Sequence, residues 1–220
     1  MTAAAFAFLS YLSTMITGNP HPEHHHDLGQ AFWEEKWQTH ATGWDIGYAS
    51  PPIVQYFGQY PDKDAAILIP GCGNAYEAEF LVEQEFTDIT LIDIAPEATA
   101  RLREKFANHD HINILCKDFF QHQGQYDLII EQTFFCALPP QKRPDYVRQC
   151  HSLLRPEGKI TGLLFNRTFD RKGPPFGGSA AEYRALFQPA FDIRTMEVCT
   201  NSIPPRAGSE LFINFVKRED

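Results

Sequence analysis

Positive charge is scarce in this sequence. Its 220 residues hold 19 lysines and arginines against 28 aspartates and glutamates, which gives a formal net charge of −9. Proteins that bind DNA, RNA or an anionic membrane surface neutralise phosphates with clustered lysine and arginine. We therefore expect no nucleic-acid partner and no membrane partner.

The pattern of a secretory signal is also missing. The apolar run over residues 3–16 has no basic flank, because the first lysine or arginine is Lys36. A signal peptide needs that flank, and the run is too short and too often interrupted by serine and threonine to span a bilayer. An amphipathic helix, or an extension upstream of a start at Met15, is the expectation here.

Paired cysteines and a metal-binding pattern are absent as well. An odd number of widely spaced cysteines without Cys-x-x-Cys fits neither a zinc knuckle nor a disulfide framework, so we expect free thiols in a reducing cytoplasm. Four histidines stand in "HPEHHHD", residues 21–27, which has the composition of a solvated linker. We expect residues 1–29 to be a partly disordered extension and residues 30–220 to be a single domain without a metal. The cysteines are Cys72, Cys116, Cys136, Cys150 and Cys199.

From residue 65 onward the pattern alternates between strand and helix. Such alternation predicts a mostly parallel α/β sheet covered by helices on both faces, with helices between the first six strands. A proline-rich segment joins the last two strands, which predicts an antiparallel final pair. Strands are predicted at 65–69, 88–94, 112–118, 126–132, 159–165, 191–198 and 211–218, and helices at 74–85, 96–108, within 140–158 and near 179–187. Two short helices are predicted within 30–59.

The helix within 140–158 is predicted to bury one apolar face and to stop at Pro156 and Gly158. The residues on that face are Val147, Cys150, Leu153 and Leu154.

The stretch "ILIPGCGNAYEAEF", residues 67–80, predicts a strand, a glycine turn and a helix. Such a turn lies at the carboxyl edge of the sheet, where open α/β sheets bind ligands, and Gly71 and Gly73 allow a ligand to approach the backbone. A dinucleotide site has a third glycine three residues further on, but Tyr76 stands there. The turn therefore favours a different adenosine cofactor.

Two acidic residues follow at the ends of the next two predicted strands. Asp93 lies twenty residues after Gly73, where an acid accepts hydrogen bonds from ribose hydroxyls. Asp118 and Phe119 offer an acceptor for an exocyclic amine and an apolar wall for adenine. An aspartate at a strand end can also be only a helix cap. An adenosine cofactor without a phosphate needs this set of groups, and S-adenosylmethionine is that cofactor.

The chain resembles the thiopurine S-methyltransferase family of class I methyltransferases, and within it the plant-type thiol and halide methyltransferases. The resemblance covers nearly everything from residue 32 onward and implies a Rossmann-like fold of seven strands with an antiparallel last strand and an amino-terminal helical lid. It rests on "FWEEKWQTHATGWDIG" (32–47), "IPGCGNAYEA" (69–78), "LIDIAPEA" (91–98), "YDLIIEQTFFCALPPQKRPDY" (126–146), "LLRPEGKI" (153–160), "GPPF" (173–176) and "NSIPPRAG" (201–208).

The resemblance implies an S-adenosylmethionine-dependent enzyme that releases S-adenosylhomocysteine. The expected acceptor is a small thiol or halide, the mechanism is one of positioning without a catalytic side chain, and the protein is a monomer. It places Trp33, Trp37, Trp44, Gly71, Asp93, Asp118, Phe119 and Gln132 at the cofactor, and Trp44, Phe135, Phe176 and Arg206 at the acceptor. Relatives often carry arginine or tyrosine at the position of Gln132.

Several alternatives stay open at this point. A nicotinamide-dependent oxidoreductase would share such a sheet, although Tyr76 disfavours it, and a non-catalytic S-adenosylmethionine-binding module would share the cofactor residues. Trp33 and Trp37, four residues apart on one helix face, have the spacing of core anchors. Cys136 is expected to be a buried thiol rather than a nucleophile, and Arg206 is either a cation over the acceptor pocket or a solvated surface residue.

Overall fold

The computed structural model describes residues 28–219. The predictions for the apolar run at 3–16 and the histidine-rich segment at 21–27 lie outside the described residues. Within the described part, none of the helices has the length and apolarity that a membrane crossing requires.

The predicted seven-stranded sheet is confirmed, with strand order β3-β2-β1-β4-β5-β7-β6. The first five strands run parallel, and β7 pairs antiparallel with both β5 and β6. The antiparallel final pair is therefore confirmed. The strands are β1 (Ile67–Pro70), β2 (Ile89–Asp93), β3 (Ile112–Cys116), β4 (Tyr126–Gln132), β5 (Leu154–Phe165), β6 (Phe191–Val198) and β7 (Glu210–Lys217).

Six α-helices accompany the sheet in the described residues. Both short helices before the sheet are present, and α4 begins at Pro96, the residue at which the sequence predicted a helix to begin, since proline is tolerated in the first turn. The helices are α1 (Gln30–Gln38), α2 (Pro51–Phe57), α3 (Tyr76–Glu83), α4 (Pro96–Lys105), α5 (Arg143–Leu153) and α6 (Ala180–Phe187).

The connection between β3 and β4 differs from the prediction of helices between the first six strands. Residues 117–125 contain only a 3₁₀ helix, Phe119–Gln121. Asp118 begins this turn and accepts a hydrogen bond from Phe120 N at 2.9 Å. So short a connection leaves no room for an α-helix of ordinary length, and Asp118 lies beyond the strand that was predicted to end with it.

The end of α5 is a second correction. Leu154 was predicted on the helix, but α5 ends at Leu153 and Leu154 begins β5, where it pairs with Tyr126. The residue before a proline avoids helical geometry, and Pro156 itself has no N–H for the helix, so the chain becomes extended early. Leu154 is still buried, as predicted, although the sheet buries it instead of the helix.

Hydrophobic residues on opposite faces of the sheet build two cores. Leu68 and Ile129 belong to the core beneath α5 and α6, whereas Ile67, Ile69 and Leu128 belong to the core beneath α2, α3 and α4. Alternation along each strand sends neighbouring side chains to opposite faces. A sheet covered on both sides results, and its carboxyl edge is where the predicted site residues meet.

Candidate active site

The glycine turn between β1 and α3 takes a left-handed backbone. Gly71 and Gly73 both have φ of +55°. A Cβ atom at Gly71 would lie 2.3 Å from Phe134 Cδ2, and one at Gly73 would lie 3.7 Å from the ring of Trp37. Gly71 therefore has both a conformational and a steric requirement for glycine, and the side chain that creates the steric one is Phe134.

Asp93, at the end of β2, holds this turn in place. One carboxylate oxygen accepts from Gly73 N at 3.0 Å and the other accepts from Ala95 N at 2.9 Å. Asp93 is only 7% exposed. Burial raises the pKa of its carboxyl group, and the hydrogen bonds from the backbone amides lower it by a smaller amount. A carboxylate oxygen has more than one acceptor site, so Asp93 keeps capacity for a hydroxyl donor.

Phe119 lies in the core beside the carboxyl edge. Its ring is 5.2 Å from that of Phe134 and 5.8 Å from that of Tyr146. Asp118 next to it acts as the cap described above, which is the alternative that the sequence left open. The structure thus brings Asp118 and Phe119 to the same edge as Asp93, and their contact with adenine stays a prediction.

Three tryptophans form a cluster against the glycine turn. The Trp44 ring lies 5.5 Å from that of Trp33 and 6.0 Å from that of Trp37. Trp37 is 3% exposed and packs on Ala95 and Ala98 of the β2–α4 corner, as the core-anchor interpretation expects. Trp33 and Trp44 are half-buried, which leaves part of each ring for a ligand.

Polar contacts fix the amino-terminal segment, residues 30–47, to the sheet edge. Glu34 accepts from Glu97 N at 3.0 Å, at the start of α4. Asp45 accepts from Asn74 Nδ2 at 2.6 Å and from the Tyr76 hydroxyl at 3.3 Å. Tyr76, which stands where a dinucleotide site has its third glycine, therefore contacts the segment that covers the turn.

Arg206 joins this segment to β7. Its guanidinium donates to the Trp44 carbonyl at 3.2 Å, lies 3.4 Å from Glu210 Oε1 and sits 5.6 Å from the centroid of the Phe165 ring. The side chain is only 13% exposed. A solvated surface arginine is therefore the wrong description, and Arg206 is a half-buried cation where the amino-terminal segment meets the end of β5.

The loop after β4, residues 133–137, carries the remaining predicted residues. Phe135 is 1% exposed and packs against Tyr146 and Tyr183, so its ring lies in the core. Phe176 N donates to the Cys136 carbonyl at 2.6 Å, which joins "TFFCAL" to "GPPF". Contact of Phe135 or Phe176 with an acceptor stays a prediction.

Cys136 is buried, as expected. Burial is the main reason why the pKa of its thiol is raised, and the negative charge of Glu131 raises it further. The positive charge of Arg206 opposes this shift. A thiol held in its neutral form is a poor nucleophile.

The sequence analysis missed Phe134 as the ring against Gly71 and Glu131 as a buried carboxylate. Glu131 gave a visible signal, because a charged residue stood inside the apolar run "YDLIIEQ". Its partner Tyr146 is fifteen positions away and could not be paired with it by pattern.

The residues at this edge fit an adenosine cofactor. Gly71 and Gly73 leave the turn without side chains, Asp93 supplies a buried acceptor, and the Oε1 atom of Gln132 is buried without a partner among the described residues. A buried amide oxygen without a partner calls for a donor. Within residues 28–219, histidine, cysteine, aspartate and glutamate do not gather into a group that could hold a metal ion.

Solved structures define the class. The fold matches a 1,6-didemethyltoxoflavin N1-methyltransferase from Burkholderia thailandensis, solved with S-adenosylhomocysteine, with a TM-score of 0.68 over 86% of this chain and 87% of that one, at 18% identity. A magnesium protoporphyrin IX methyltransferase from Synechocystis, also solved with S-adenosylhomocysteine, matches with a TM-score of 0.61 at 16% identity, over 76% of this chain and 81% of that one. The fold is that of class I methyltransferases.

The sequence comparisons define the family. Residues 28–212 match the family model for thiopurine S-methyltransferase, and the chain belongs to that family. It is 32% identical to a probable thiol methyltransferase 2 of Arabidopsis thaliana, over 81% of each chain. It is 28% identical both to thiocyanate methyltransferase 1 of Arabidopsis thaliana, over 84% of each chain, and to a thiopurine S-methyltransferase of Acinetobacter baylyi, over 76% of this chain and 87% of that one. The protein is an S-adenosylmethionine-dependent methyltransferase of the thiol type, and the oxidoreductase alternative is not favoured.

Proposed function

We propose that the protein methylates small, polarisable, anionic nucleophiles, with thiolates preferred and halides as a second group. The observation that carries this proposal is Arg206, a half-buried cation that lies between the Trp44 carbonyl and the Phe165 ring and is paired with Glu210 at 3.4 Å through one of its guanidinium nitrogens. A cation in an aromatic setting favours a small soft anion over a neutral amine. Large acceptors are disfavoured by the net charge of −9.

S-adenosylmethionine supplies a methyl group on a sulfonium centre, and a thiolate takes that methyl as the bonding electron pair leaves with the cofactor sulfur. The protein contributes alignment, because an acidic thiol arrives already ionised and needs no strong base. Half-buried Trp33 and Trp44 present aromatic faces that attract the sulfonium charge.

We assign the remaining roles as follows. Asp93 accepts hydrogen bonds from the ribose hydroxyls. Asp118 accepts a hydrogen bond from the exocyclic amine of adenine, and Phe119 packs against the adenine ring. The amide oxygen of Gln132, which is unpaired among the described residues, accepts a hydrogen bond from the cofactor. The aromatic wall of the acceptor site comes from Trp44 and Phe176, with Phe135 behind it in the core and Arg206 at its mouth. We propose that the protein is a monomer. Its five free thiols favour the reducing environment of the cytoplasm.

The acceptor assignment is tested by a substrate panel at fixed, saturating S-adenosylmethionine. The panel compares an aromatic thiol, an alkyl thiol, iodide and an amine, with the methylated products quantified by mass spectrometry. We expect turnover of the thiols, with the aromatic thiol active at lower pH because its rate follows the ionised fraction. Methylation of the amine alone would refute the proposal.

Arg206→Ala is expected to raise the acceptor KM about tenfold or more, with a smaller change in the cofactor KM. Because the substitution also leaves Glu210 buried without its cation, the double variant Arg206→Ala/Glu210→Gln separates the two effects. Arg194, exposed on the edge strand β6, is the matched control, and Arg194→Ala should leave both constants unchanged. An effect of Arg206→Ala on cofactor binding alone would contradict the assignment.

Binding of the cofactor is tested separately by calorimetry with S-adenosylhomocysteine and NADH. We expect S-adenosylhomocysteine alone to bind. A protein that binds it but methylates no member of the panel would instead be the non-catalytic module.

A further inference from the structure

Glu131 is a fully buried carboxylate that contributes to none of the roles assigned above. It lies one residue before the end of β4 and is 0% exposed. The neighbouring strand accommodates it closely, since a Cβ atom at Gly162 of β5 would lie 1.9 Å from the Glu131 carbonyl oxygen. The position of Glu131 in the central part of the sheet is therefore tightly fixed.

Both carboxylate oxygens of Glu131 are engaged by the surrounding structure. Oε1 accepts from Phe134 N at 2.9 Å and from Phe135 N at 2.8 Å, and Oε2 accepts from the Tyr146 hydroxyl at 2.7 Å. Three donors on one carboxylate stabilise its charged form. The carboxylate thereby determines how the chain turns after β4.

The turn that Glu131 holds has an unfavourable backbone. Thr133 has φ of +60°, a left-handed conformation that β-branched residues rarely adopt. Such a conformation persists only where the surroundings impose it. The two hydrogen bonds that the Phe134 and Phe135 amides donate to Glu131 are the interactions that hold it here.

Two parts of the candidate site depend on this turn. Phe134 follows Thr133, and its ring is the group that approaches Gly71 most closely. The Cys136 carbonyl accepts from Phe176 N, on the segment assigned to the acceptor. Movement of the loop at 133–137 would therefore shift the cofactor side and the acceptor side together.

We propose that Glu131 is a positioning residue for methyl transfer. Its ionised carboxylate holds the loop at 133–137 in place. Phe134 then stays packed against the glycine turn, and the Cys136 carbonyl keeps its hydrogen bond from Phe176 N. Protonation of the carboxylate weakens the hydrogen bonds that it accepts from the Phe134 and Phe135 amides. The loop at 133–137 then becomes less tightly held. The activity readout of this inference rests on the proposed function, whereas its structural readout does not.

The groups around Glu131 support a titration in the working range of pH. Burial raises the pKa of Glu131 to about 7, opposed by the hydrogen bonds from Phe135, Tyr146 and Phe134. The titratable groups that face it are Tyr146 and Cys150 of α5, Cys136 of the loop and Tyr183 of α6, and burial raises the pKa of each. All four are therefore neutral near pH 7, where the charge on Glu131 changes.

The test is the pH profile of kcat/KM for iodide, the member of the acceptor panel that is anionic at every working pH, at saturating S-adenosylmethionine. The wild-type value is expected to fall about tenfold per pH unit below an apparent pKa near 7. Glu131→Gln should give a value at least tenfold lower at pH 8.5 and no acidic limb. Tyr146→Phe should retain the limb but move it to higher pH, because it removes a donor to the charged form.

The matched control is Glu77→Gln. Glu77 is also a buried carboxylate and has its pKa raised by burial, but it lies on α3 and accepts from Ser50 N at 3.0 Å rather than from amides of the loop. Its variant should keep the wild-type limb. An acidic limb that survives in Glu131→Gln, or an unshifted limb in Tyr146→Phe, would overturn the proposal. If Glu131→Gln does not fold, Tyr146→Phe alone decides the question, since it retains the carboxylate.

Hydrogen exchange provides the readout that is independent of activity. Corrected for intrinsic rates, protection of the Phe134 and Phe135 amides should decrease in the wild-type protein below pH 7, while α4 (Pro96–Lys105), which packs on the opposite face of the sheet, should show no such change. If the chain methylates neither iodide nor any thiol, the proposed function fails and this measurement still judges the role of Glu131. Protection that does not depend on pH would refute the inference.

Discussion

Gly71 is the residue at which the cofactor turn tolerates change least. Its left-handed backbone and the nearby Phe134 ring both oppose a side chain. Overcrowding of a well-packed site forces neighbours to shift. The strictness of this position therefore comes from the protein itself as well as from any ligand.

Gly71→Ala should lower the free energy of unfolding by about 2–4 kcal/mol and weaken S-adenosylhomocysteine binding, since the added methyl must displace Phe134. Urea denaturation and calorimetry measure the two effects. Gly208→Ala is the matched control, because Gly208 also has positive φ, +74°, but meets nothing within 4 Å. Equal destabilisation by both variants would mean that backbone conformation alone, without the Phe134 contact, explains the position.

Asp93→Ala should reduce affinity for S-adenosylhomocysteine by about 1.5–3 kcal/mol, as expected for the loss of charge-assisted hydrogen bonds. The structure adds a complication, because Asp93 also accepts from Gly73 N and Ala95 N. Asp93→Asn keeps the shape and one acceptor oxygen, so its affinity should lie between those of the wild type and Asp93→Ala. Unchanged affinity in a folded Asp93→Ala protein would remove Asp93 from the cofactor site.

At the scale of elements, the amino-terminal segment is held by side chains rather than by the sheet. The tryptophan cluster packs it against the glycine turn. Glu34 accepts a hydrogen bond from α4, Asp45 accepts one from Asn74, and the Trp44 carbonyl accepts one from Arg206. Segments attached in this way open more readily than the strands beneath them. The geometry suits a lid, which stays a prediction.

The lid predicts a slower hydrogen exchange across residues 30–47 when S-adenosylhomocysteine binds. The effect should be absent from α6, on the far side of the sheet, which serves as the internal reference. Asp45→Ala should speed exchange of the segment in the free protein, because it removes the acceptor for Asn74 and Tyr76. Identical exchange with and without ligand would argue against a lid.

The elements that could be predicted from sequence are those whose signal is local. Alternation and apolar runs gave all seven strands, and the glycine turn and Asp93 followed from motif spacing. The failure at Leu154 came from assigning one buried residue to the wrong neighbouring element, since burial alone does not distinguish a helix face from a strand. Phe134 and Glu131 were missed because their roles arise from contacts with Gly71 and Tyr146, which only the fold brings together.

At the scale of the whole molecule, Glu131 links stability to pH with a definite sign. Its folded-state pKa of about 7 lies above its ordinary value of 4.5. The native state therefore binds the proton more tightly, and the stability contributed by protonated Glu131 is present below pH 4.5 and is lost as pH rises through 7.

The free energy of unfolding of the wild type, minus that of Glu131→Gln, should decrease by about 2–4 kcal/mol between pH 4.5 and 8 and then level off. Urea titrations across that range measure the difference. A difference that increases with pH would mean that the native state prefers the ionised carboxylate, contrary to the burial argument. The folded protein with ionised Glu131, the form that positions the loop, is thus less stable toward unfolding than the folded protein with protonated Glu131. Such a loss of stability is common at functional sites.

Transfer of a methyl group to sulfur is the central claim, and competition within one molecule tests it most directly. The measurement uses 4-aminothiophenol with S-adenosylmethionine deuterated in its methyl group, and mass spectrometric fragmentation locates the label in the product. Since the thiolate and the amine then share one binding event, the outcome reports the preference for the nucleophile itself. We predict the label on sulfur, with one equivalent of S-adenosylhomocysteine released per product. The label on nitrogen alone would contradict the account.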